Sequence, residues 1–216
     1  MQERIRAVIF DFDGVLVDSE PLHEWAIRES VRPHGWSFTR ERFFAEIVGR
    51  GDENAYRRIA EWNGAAAADE HVRELLEVKW RLMGEGIAAG KFSVQPGAAE
   101  QVRAAKGRGP VAVCSGSVGS TVRPMLERIG LLGLLDAVVC GDDVPRMKPA
   151  PDGYLLAAKK LGVEPGACLA IEDTPTGVKA AKNAGMRVVA VCHTVGREML
   201  GEADEVVASI GEIAFE

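Results

Sequence analysis

A series of short apolar segments, each rich in β-branched residues and followed by polar or glycine residues, constrains the fold of this chain most. Segments this short with such flanks are typical of buried strands in a parallel sheet. Helical patterns separate most of them, and this alternation predicts an α/β fold with a doubly wound parallel sheet. The predicted strands are Ala7–Phe10, Val111–Cys114, Ala137–Cys140, Leu169–Ile171, Arg187–Val191 and the more weakly patterned Glu205–Ala208. The predicted helices between them are Ala98–Lys106, Val118–Ile129, Gly153–Leu161 and Gly177–Ala184.

The alternation is interrupted once, between the first two predicted strands, by about a hundred residues. One crossover connection needs far fewer. Most of this insert, residues 18–87, has helical periodicity and contains all four tryptophans. We therefore predict a small helical cap with its own core, and an α/β catalytic core formed by residues 1–17 and 88–216. The alternative is a set of helices that packs only on the main core.

The apolar positions of the insert fall on helical faces, and glycines lie near both of its junctions. Glycines such as Gly14 and Gly90 would let the insert hinge as a lid over the carboxyl ends of the strands. The predicted buried faces comprise Phe43, Phe44, Ile47, Val72, Leu75, Leu76, Leu82 and Met83.

Charge and composition exclude several classes of partner. The net charge is -6 and 47% of the residues are hydrophobic, which favours a folded protein of the cytoplasm. The sequence has no long Lys/Arg run for nucleic acid and no apolar run of the roughly 18 to 20 residues that a membrane span needs. The N-terminus lacks the apolar stretch of a secretory signal. We expect a monomer or a weak dimer.

The four cysteines form no CxxC pair, and each lies in or beside a short apolar segment. This pattern favours buried free thiols over disulfides or a zinc site. Cys114 is the one cysteine close to the predicted site, so a catalytic thiol there is an alternative.

Acidic residues follow the first and the fourth predicted strands. Asp11 and Asp13 are two residues apart in an extended stretch, so their side chains project to the same side, and Gly14 then allows a turn. Glu172 and Asp173 end the fourth strand. Alone, Asp11 and Asp13 are equally compatible with an acidic turn. Together, the two pairs predict an oxygen-lined site suited to Mg²⁺ at one edge of the sheet.

Two further segments supply groups that suit an anion. Ser115 and Gly116 follow the second strand, where a hydroxyl and backbone N–H groups could hold a phosphate, although an N-cap serine is the simpler reading. Lys148 lies in the loop after the third strand, before a proline, where an exposed loop lysine is the usual outcome. A cation site beside an anion site is the outline of phosphoryl transfer.

These four motifs, in this order, resemble those of the haloacid dehalogenase superfamily, and more closely its β-phosphoglucomutase-like and sugar-phosphate phosphatase subgroup. The matching segments are Asp11-Phe12-Asp13-Gly14-Val15, Ser115, Lys148-Pro149-Ala150-Pro151-Asp152 and Ile171-Glu172-Asp173-Thr174-Pro175. The resemblance covers nearly the whole chain.

The resemblance implies a role for each motif. Asp11 would be the nucleophile and Asp13 the general acid/base. Asp11, the backbone carbonyl of Asp13, and Asp173 would hold Mg²⁺, with Glu172 nearby, while Ser115, Gly116 and Lys148 would bind the phosphoryl group.

The cap distinguishes a phosphatase from a phosphomutase. The mutases that the chain resembles use a cap histidine, a lysine before a glycine, and an arginine a few residues later. His23 matches the histidine, but Val48 and Asp52 stand at or near the other two positions. Arg50 could replace the missing contact or be a solvated arginine. The expected activity is therefore Mg²⁺-dependent hydrolysis of a small sugar or polyol phosphate, with a mutase as the alternative.

A phospho-aspartate signalling module without turnover is a more distant alternative, because such modules also gather acidic residues and a lysine at a sheet edge. Their length is nearer 120 residues, without a helical insert. The insert and the Lys148 loop favour an enzyme.

Overall fold

The computed structural model describes residues 4–47 and 51–215. Its residues form two compact units: a core that combines the segment up to Asp18 with the segment from Ser93 onward, and a helical unit, Ser19–Phe92. The elements in chain order are β1 (Ala7–Phe10), β2 (Val17–Asp18), α1 (Glu20–Val31), α2 (Arg40–Glu46), α3 (Asp52–Trp62), α4 (Asp69–Ala89), β3 (Ser93–Val94), α5 (Ala98–Lys106), β4 (Val111–Cys114), α6 (Gly119–Arg128), β5 (Ala137–Val139), α7 (Asp152–Leu161), β6 (Cys168–Glu172), α8 (Pro175–Asn183), β7 (Arg187–Val191) and β8 (Glu205–Val207).

The core unit contains a six-stranded sheet in the order β5-β4-β1-β6-β7-β8. Every adjacent pair in it is parallel, so the predicted doubly wound α/β fold is confirmed. The strands that precede the polar motifs thus lie side by side, with β1 between β4 and β6. The short strands β2 and β3 form a separate antiparallel pair.

Alternation along β1 explains how helices cover both faces of the sheet. Ala7 and Ile9 pack with Tyr154 and Ala157 of α7 in one buried cluster. Val8 and the other even-numbered positions project to the opposite face. Because both faces are covered, β1 is apolar at every position rather than at alternate ones.

The helical unit has an apolar core of its own, built from α1, α2, α3 and α4. Tyr56 and Phe43 are among its largest fully buried side chains, and Trp36 and Trp62 pack at its margin, partly buried. The tryptophans are therefore less central than their confinement to the insert suggested. Phe44, predicted to be buried, is 42% exposed, because the seven-residue helix α2 turns only Phe43 fully inward.

The helical unit ends later than the predicted boundary at residue 87, because α4 continues to Ala89 and is closed by Gly90 in the left-handed conformation, with φ of 71°. Gly86 lies inside this helix. A Cβ there would lie 2.2 Å from Leu22 Cδ1, so this glycine permits the close packing of α4 on α1.

A buried ion pair joins α3 and α4. Lys79 has no exposed surface, and its ammonium donates to the carboxylate of Asp52, which is 28% exposed. Burial lowers the pKa of Lys79, although Asp52 opposes the shift. Asp52 is thus the main group that stabilises the charge of Lys79, with a smaller contribution from Glu20.

We expect Asp52→Asn to lower the free energy of unfolding by about 3 kcal/mol, because it leaves a buried cation without its counter-ion. Lys79→Met should cost much less, since the remaining carboxylate is partly hydrated. Urea denaturation of both variants tests this, with Glu85→Gln, which breaks the exposed Arg81–Glu85 pair, as the control. Equal losses for Asp52→Asn and Glu85→Gln would contradict the expectation.

Within residues 4–47 and 51–215, no helix has both the length and the apolar character needed to cross a membrane. All four cysteines are free. Cys114, Cys140 and Cys168 are buried as predicted, whereas Cys192 is partly exposed.

Candidate active site

The carboxyl ends of β1, β4 and β6 bring the sequence motifs together at one edge of the core sheet. Asp11 follows β1, Ser115 follows β4, Glu172 ends β6, and Asp173 comes directly after it. All four side chains are buried. The adjacent positions of these three strands explain why residues distant in sequence meet here.

Lys148 connects two of the acidic residues. Its ammonium donates to Asp11 Oδ1 and, at 2.6 Å, to Glu172 Oε1. Its side chain is only 17% exposed, so the usual outcome of an exposed loop lysine does not apply. Burial opposes the ammonium charge, but Asp11 and Glu172 outweigh it and raise the pKa of Lys148 well above its usual value. A positive charge is therefore favoured beside Asp11.

Three carboxylates converge beside this lysine. Ligand oxygens of Asp11, Glu172 and Asp173 all lie within 4.8 Å of one another. Burial raises the pKa of Asp11 well above its ordinary value, with Lys148 opposing the shift. Burial and the neighbouring Glu172 raise the pKa of Asp173 to about 7. Ionising all three groups in one buried place requires further positive charge.

The carboxylate cluster fits a hard divalent cation. Asp173 Oδ1 is buried and has no hydrogen-bond partner among the described residues, which is unusual for a buried carboxylate oxygen. Oxygen donors from several acidic residues are the ligands that Mg²⁺ prefers. The side chain of Asp13 lies outside this group of three. The metal contact predicted for Asp13 is through its backbone carbonyl, and it stays a prediction.

The Asp13 carboxylate is oriented by two hydroxyls that follow β4. Ser117 Oγ donates to Asp13 Oδ2 at 2.8 Å and Ser115 Oγ donates to the same oxygen at 3.3 Å. Ser115 Oγ also accepts from the backbone N–H of Ser117 at 2.9 Å. These bonds hold the Asp13 carboxylate in a fixed direction, as an acid/base group requires.

The Ser115–Gly116 segment precedes α6 but does not cap it. The N-cap of α6 is Val118, so the simple capping role for Ser115 is wrong. Ser115 is buried at the sheet edge, and a Cβ on Gly116 would meet only Met147 Cε, at 3.7 Å. The predicted phosphate contact through Ser115 and Gly116 stays a prediction.

Gly14 allows the chain to turn tightly behind the carboxylates. Its φ is +82°, and a Cβ there would lie 1.8 Å from Asp173 Oδ2. Gly14 N donates to Val17 O at 2.7 Å, which closes the turn. Glycine is thus required here by both backbone conformation and space.

Three supporting side chains were not singled out from the sequence. Tyr154 OH donates to Glu172 Oε1 at 2.6 Å, Thr194 Oγ1 donates to Asp173 Oδ2, and His193 Nδ1 lies 2.8 Å from Gly14 O. Burial, then the negative charge of Glu172, raises the pKa of Tyr154 well above its usual value, so it stays a donor. The position of His193 and Thr194, two and three residues after the end of β7, was the available signal.

The predicted cap residues belong by sequence to the helical unit. His23 is in the first turn of α1, within the helical unit. Arg50 and Val48 lie outside the described residues. Asp52, near the position of the mutase arginine, is engaged by Lys79.

Burial raises the pKa of Cys114 to about 12, so its thiol remains protonated and the catalytic-cysteine alternative loses support.

The fold and the buried carboxylates define an α/β protein with an acidic site at the carboxyl ends of its strands. A family model for haloacid dehalogenase-like hydrolases matches residues 5–185, and the chain belongs to this family. This match confirms the predicted resemblance of the chain to the superfamily and the prediction that the chain is an enzyme.

Two relatives and one solved structure illustrate the similarity. The fructose-1-phosphate phosphatase YqaB of Escherichia coli is 36% identical, covering 88% of this chain and 98% of that protein. The phosphorylated carbohydrates phosphatase of Thermotoga maritima is 31% identical, covering 88% and 87%. The crystal structure of CbbY from Rhodobacter sphaeroides in complex with phosphate has a TM-score of 0.82 at 28% identity, covering 96% of each chain.

Proposed function

We propose that the protein is a Mg²⁺-dependent phosphatase that hydrolyses a small phosphomonoester, a sugar or polyol phosphate, through an aspartyl-phosphate on Asp11. The observation that carries this proposal is the ammonium of Lys148, held between Asp11 and Glu172. It supplies positive charge at the place where phosphoryl oxygens must approach an anionic nucleophile. The names of the two phosphatase relatives support the substrate class.

The residues divide the chemistry between two carboxylates. A carboxylate oxygen of Asp11 attacks phosphorus, forming a new P–O bond while the bond to the ester oxygen breaks. Asp13 gives a proton to the departing ester oxygen, then takes one from the water that attacks the aspartyl-phosphate. Hydrolysis releases inorganic phosphate and restores both side chains. Ser115, Gly116 and Lys148 are the proposed contacts to the phosphoryl oxygens.

Asp11, Asp173 and the backbone carbonyl of Asp13 would hold Mg²⁺, with Glu172 beside them. A bound Mg²⁺ would offset the repulsion between the nucleophile and the phosphate and would polarise the phosphoryl group. The unpartnered Asp173 Oδ1 and the converging oxygens of the carboxylate cluster support this assignment. We propose the helical unit as a source of substrate specificity, with His23 and Arg50 as candidate contacts.

Phosphate release from a panel of substrates tests the function. Purified protein with Mg²⁺ should release inorganic phosphate from fructose 1-phosphate, glucose 6-phosphate or glycerol 3-phosphate, and EDTA should abolish the release. Bisphosphate-dependent interconversion of glucose 1- and 6-phosphates would instead identify a mutase. A stable phospho-protein without multiple turnover would identify the signalling module.

Thr194 provides a test of the metal assignment that does not depend on the substrate. We expect Thr194→Val to weaken Mg²⁺ binding about tenfold, because Asp173 loses the donor that orients its carboxylate. Thr194→Ser retains a hydroxyl and should bind nearly as well as wild type. Calorimetric titration with Mg²⁺ measures both, and equal affinity in Thr194→Val and wild type would contradict the assignment.

A further inference from the structure

The core unit contains a cavity of about 230 Å³ at the amino ends of its strands, the sheet edge opposite to the carboxylate cluster. Its lining comes from the starts of β1, β6, β7 and β8, the end of α5, the loop before β4, and the C-terminal segment. The residues that matter for its chemistry are Arg6, Val8, Arg108, Leu169, Arg187 and Ile213. The proposed phosphatase reaction uses none of them.

We propose that this cavity binds a small organic anion, whose carboxylate or phosphate is held by the arginines while its apolar part packs on the sheet. The volume lies somewhat below the roughly 300 to 1,000 Å³ of typical ligand sites. It therefore suits a metabolite of a few carbon atoms.

Strand register forms the apolar floor of the cavity. Val8 is in register with Leu169, and Leu169 is in register with Arg187 on the next strand. Side chains in register on neighbouring parallel strands project from the same face. This row therefore places two aliphatic side chains next to a guanidinium, the pairing that an amphipathic anion requires.

Two more arginines are brought to the cavity by a close backbone approach. A Cβ on Gly109 would lie 2.4 Å from Arg6 O, so the absence of a side chain at this glycine lets the loop before β4 pack against the start of β1. Arg6 and Arg108 therefore both lie where the loop before β4 contacts the start of β1. Within residues 4–47 and 51–215, neither guanidinium forms an ion pair.

The charges at the rim favour an anion over a cation. Arg187 meets Glu205 only at 3.8 Å, a loose and exposed pair that costs little to rearrange. Glu212, the other acidic lining residue, accepts a hydrogen bond from the backbone N–H of Ala208 at 3.1 Å. Arginine forks match carboxylate and phosphate oxygens with two parallel hydrogen bonds.

The apolar wall opposite the sheet is tied in place. Gln101 Nε2 of α5 donates to Ile213 O at 3.1 Å and to Gly211 O at 3.3 Å. Ile213 is itself buried. The cavity thus has held apolar sides and exposed cationic side chains at its mouth, so an anionic group can be bound without reorganising the fold.

Titration by NMR tests the proposal with defined probes: hexanoate, hexyl phosphate and uncharged 1-hexanol, each added to the full-length Asp11→Asn variant so that no ester is hydrolysed. We expect at least one of the two anions to cause saturable shifts at Gly109 and Ile213, and hexanol to cause none. Comparing hexanoate with hexyl phosphate shows which anionic group the site prefers.

Combining Arg6→Gln with Arg108→Gln should weaken this binding about tenfold or more, because charge-assisted hydrogen bonds are lost. Arg103→Gln, on the exposed side of α5 and outside the cavity lining, should leave it unchanged. The proposal is overturned if neither anion binds below about 10 mM, if the shifts centre on Asp173, or if the double variant binds as well as the Arg103→Gln control.

Discussion

Asp11→Asn should reduce phosphate release by about 10⁴-fold or more, because the amide cannot act as the nucleophile that forms the aspartyl-phosphate. The fold should survive the change. Asparagine has nearly the same shape as aspartate, and Glu172 still neutralises Lys148 through its 2.6 Å contact. Steady-state release of inorganic phosphate, together with thermal unfolding of the same preparation, measures both effects.

The matched control for this variant is Asp69→Asn, which removes a carboxylate that is 86% exposed. Its ion pair with Arg57 lies at the surface and should contribute little to stability. We expect wild-type turnover from it. If Asp11→Asn retained turnover within a few-fold of Asp69→Asn, covalent catalysis by Asp11 would be ruled out.

Gly14→Ala should disable the site through geometry rather than through loss of a reacting group. The new methyl would sit 1.8 Å from Asp173 Oδ2 and 2.6 Å from Thr194 Oγ1, on a backbone with φ of +82°. Either Asp173 or the turn must move. Displacing a catalytic group by about 1 Å can reduce the rate about 100-fold, so we expect at least that loss in kcat/KM, together with weaker Mg²⁺ binding.

Gly35→Ala separates the steric clash from the backbone penalty. Gly35 has a similar φ of +72°, but a Cβ there would meet nothing within 4 Å. Both variants carry the cost of a left-handed alanine, about 1 to 2 kcal/mol, while only Gly14→Ala also displaces Asp173. Thermal unfolding with and without Mg²⁺ distinguishes them, because ligand binding stabilises the native state. Equal Mg²⁺-dependent stabilisation of both variants would contradict the assigned role of Gly14.

The sequence predicted the sheet well because its strands are short, apolar and buried on both faces, a pattern with few alternatives. The strand Ala7–Phe10 and the helix Ala98–Lys106 have the predicted bounds. Within the helical unit, the same reasoning failed for Phe44, because a seven-residue helix offers too little periodicity to orient its neighbouring aromatics. The side chains that fill its centre, Tyr56 among them, carried no stronger pattern than the tryptophans.

The candidate site was predictable where chemistry and strand ends coincide, as for Asp11, Ser115 and Glu172. Supporting contacts were not, because they depend on three-dimensional proximity rather than on a local pattern. In the sequence, nothing distinguishes Tyr154 from other helix residues. Only the structure shows that its hydroxyl donates to Glu172. Thr194 is likewise one hydroxyl among many in the sequence, and only the fold identifies the one that reaches Asp173.

The central place of β1 in the sheet has a consequence for the order of folding. Its two neighbours, β4 and β6, are encoded far downstream, and the contact of Lys148 with Asp11 spans 137 residues. During synthesis, β1 therefore emerges with an apolar surface and no strand to pair with, while the helical unit can acquire its local contacts earlier. The carboxylate cluster can assemble only once β6 has joined β1, so catalytic competence should be among the last properties that a growing chain acquires.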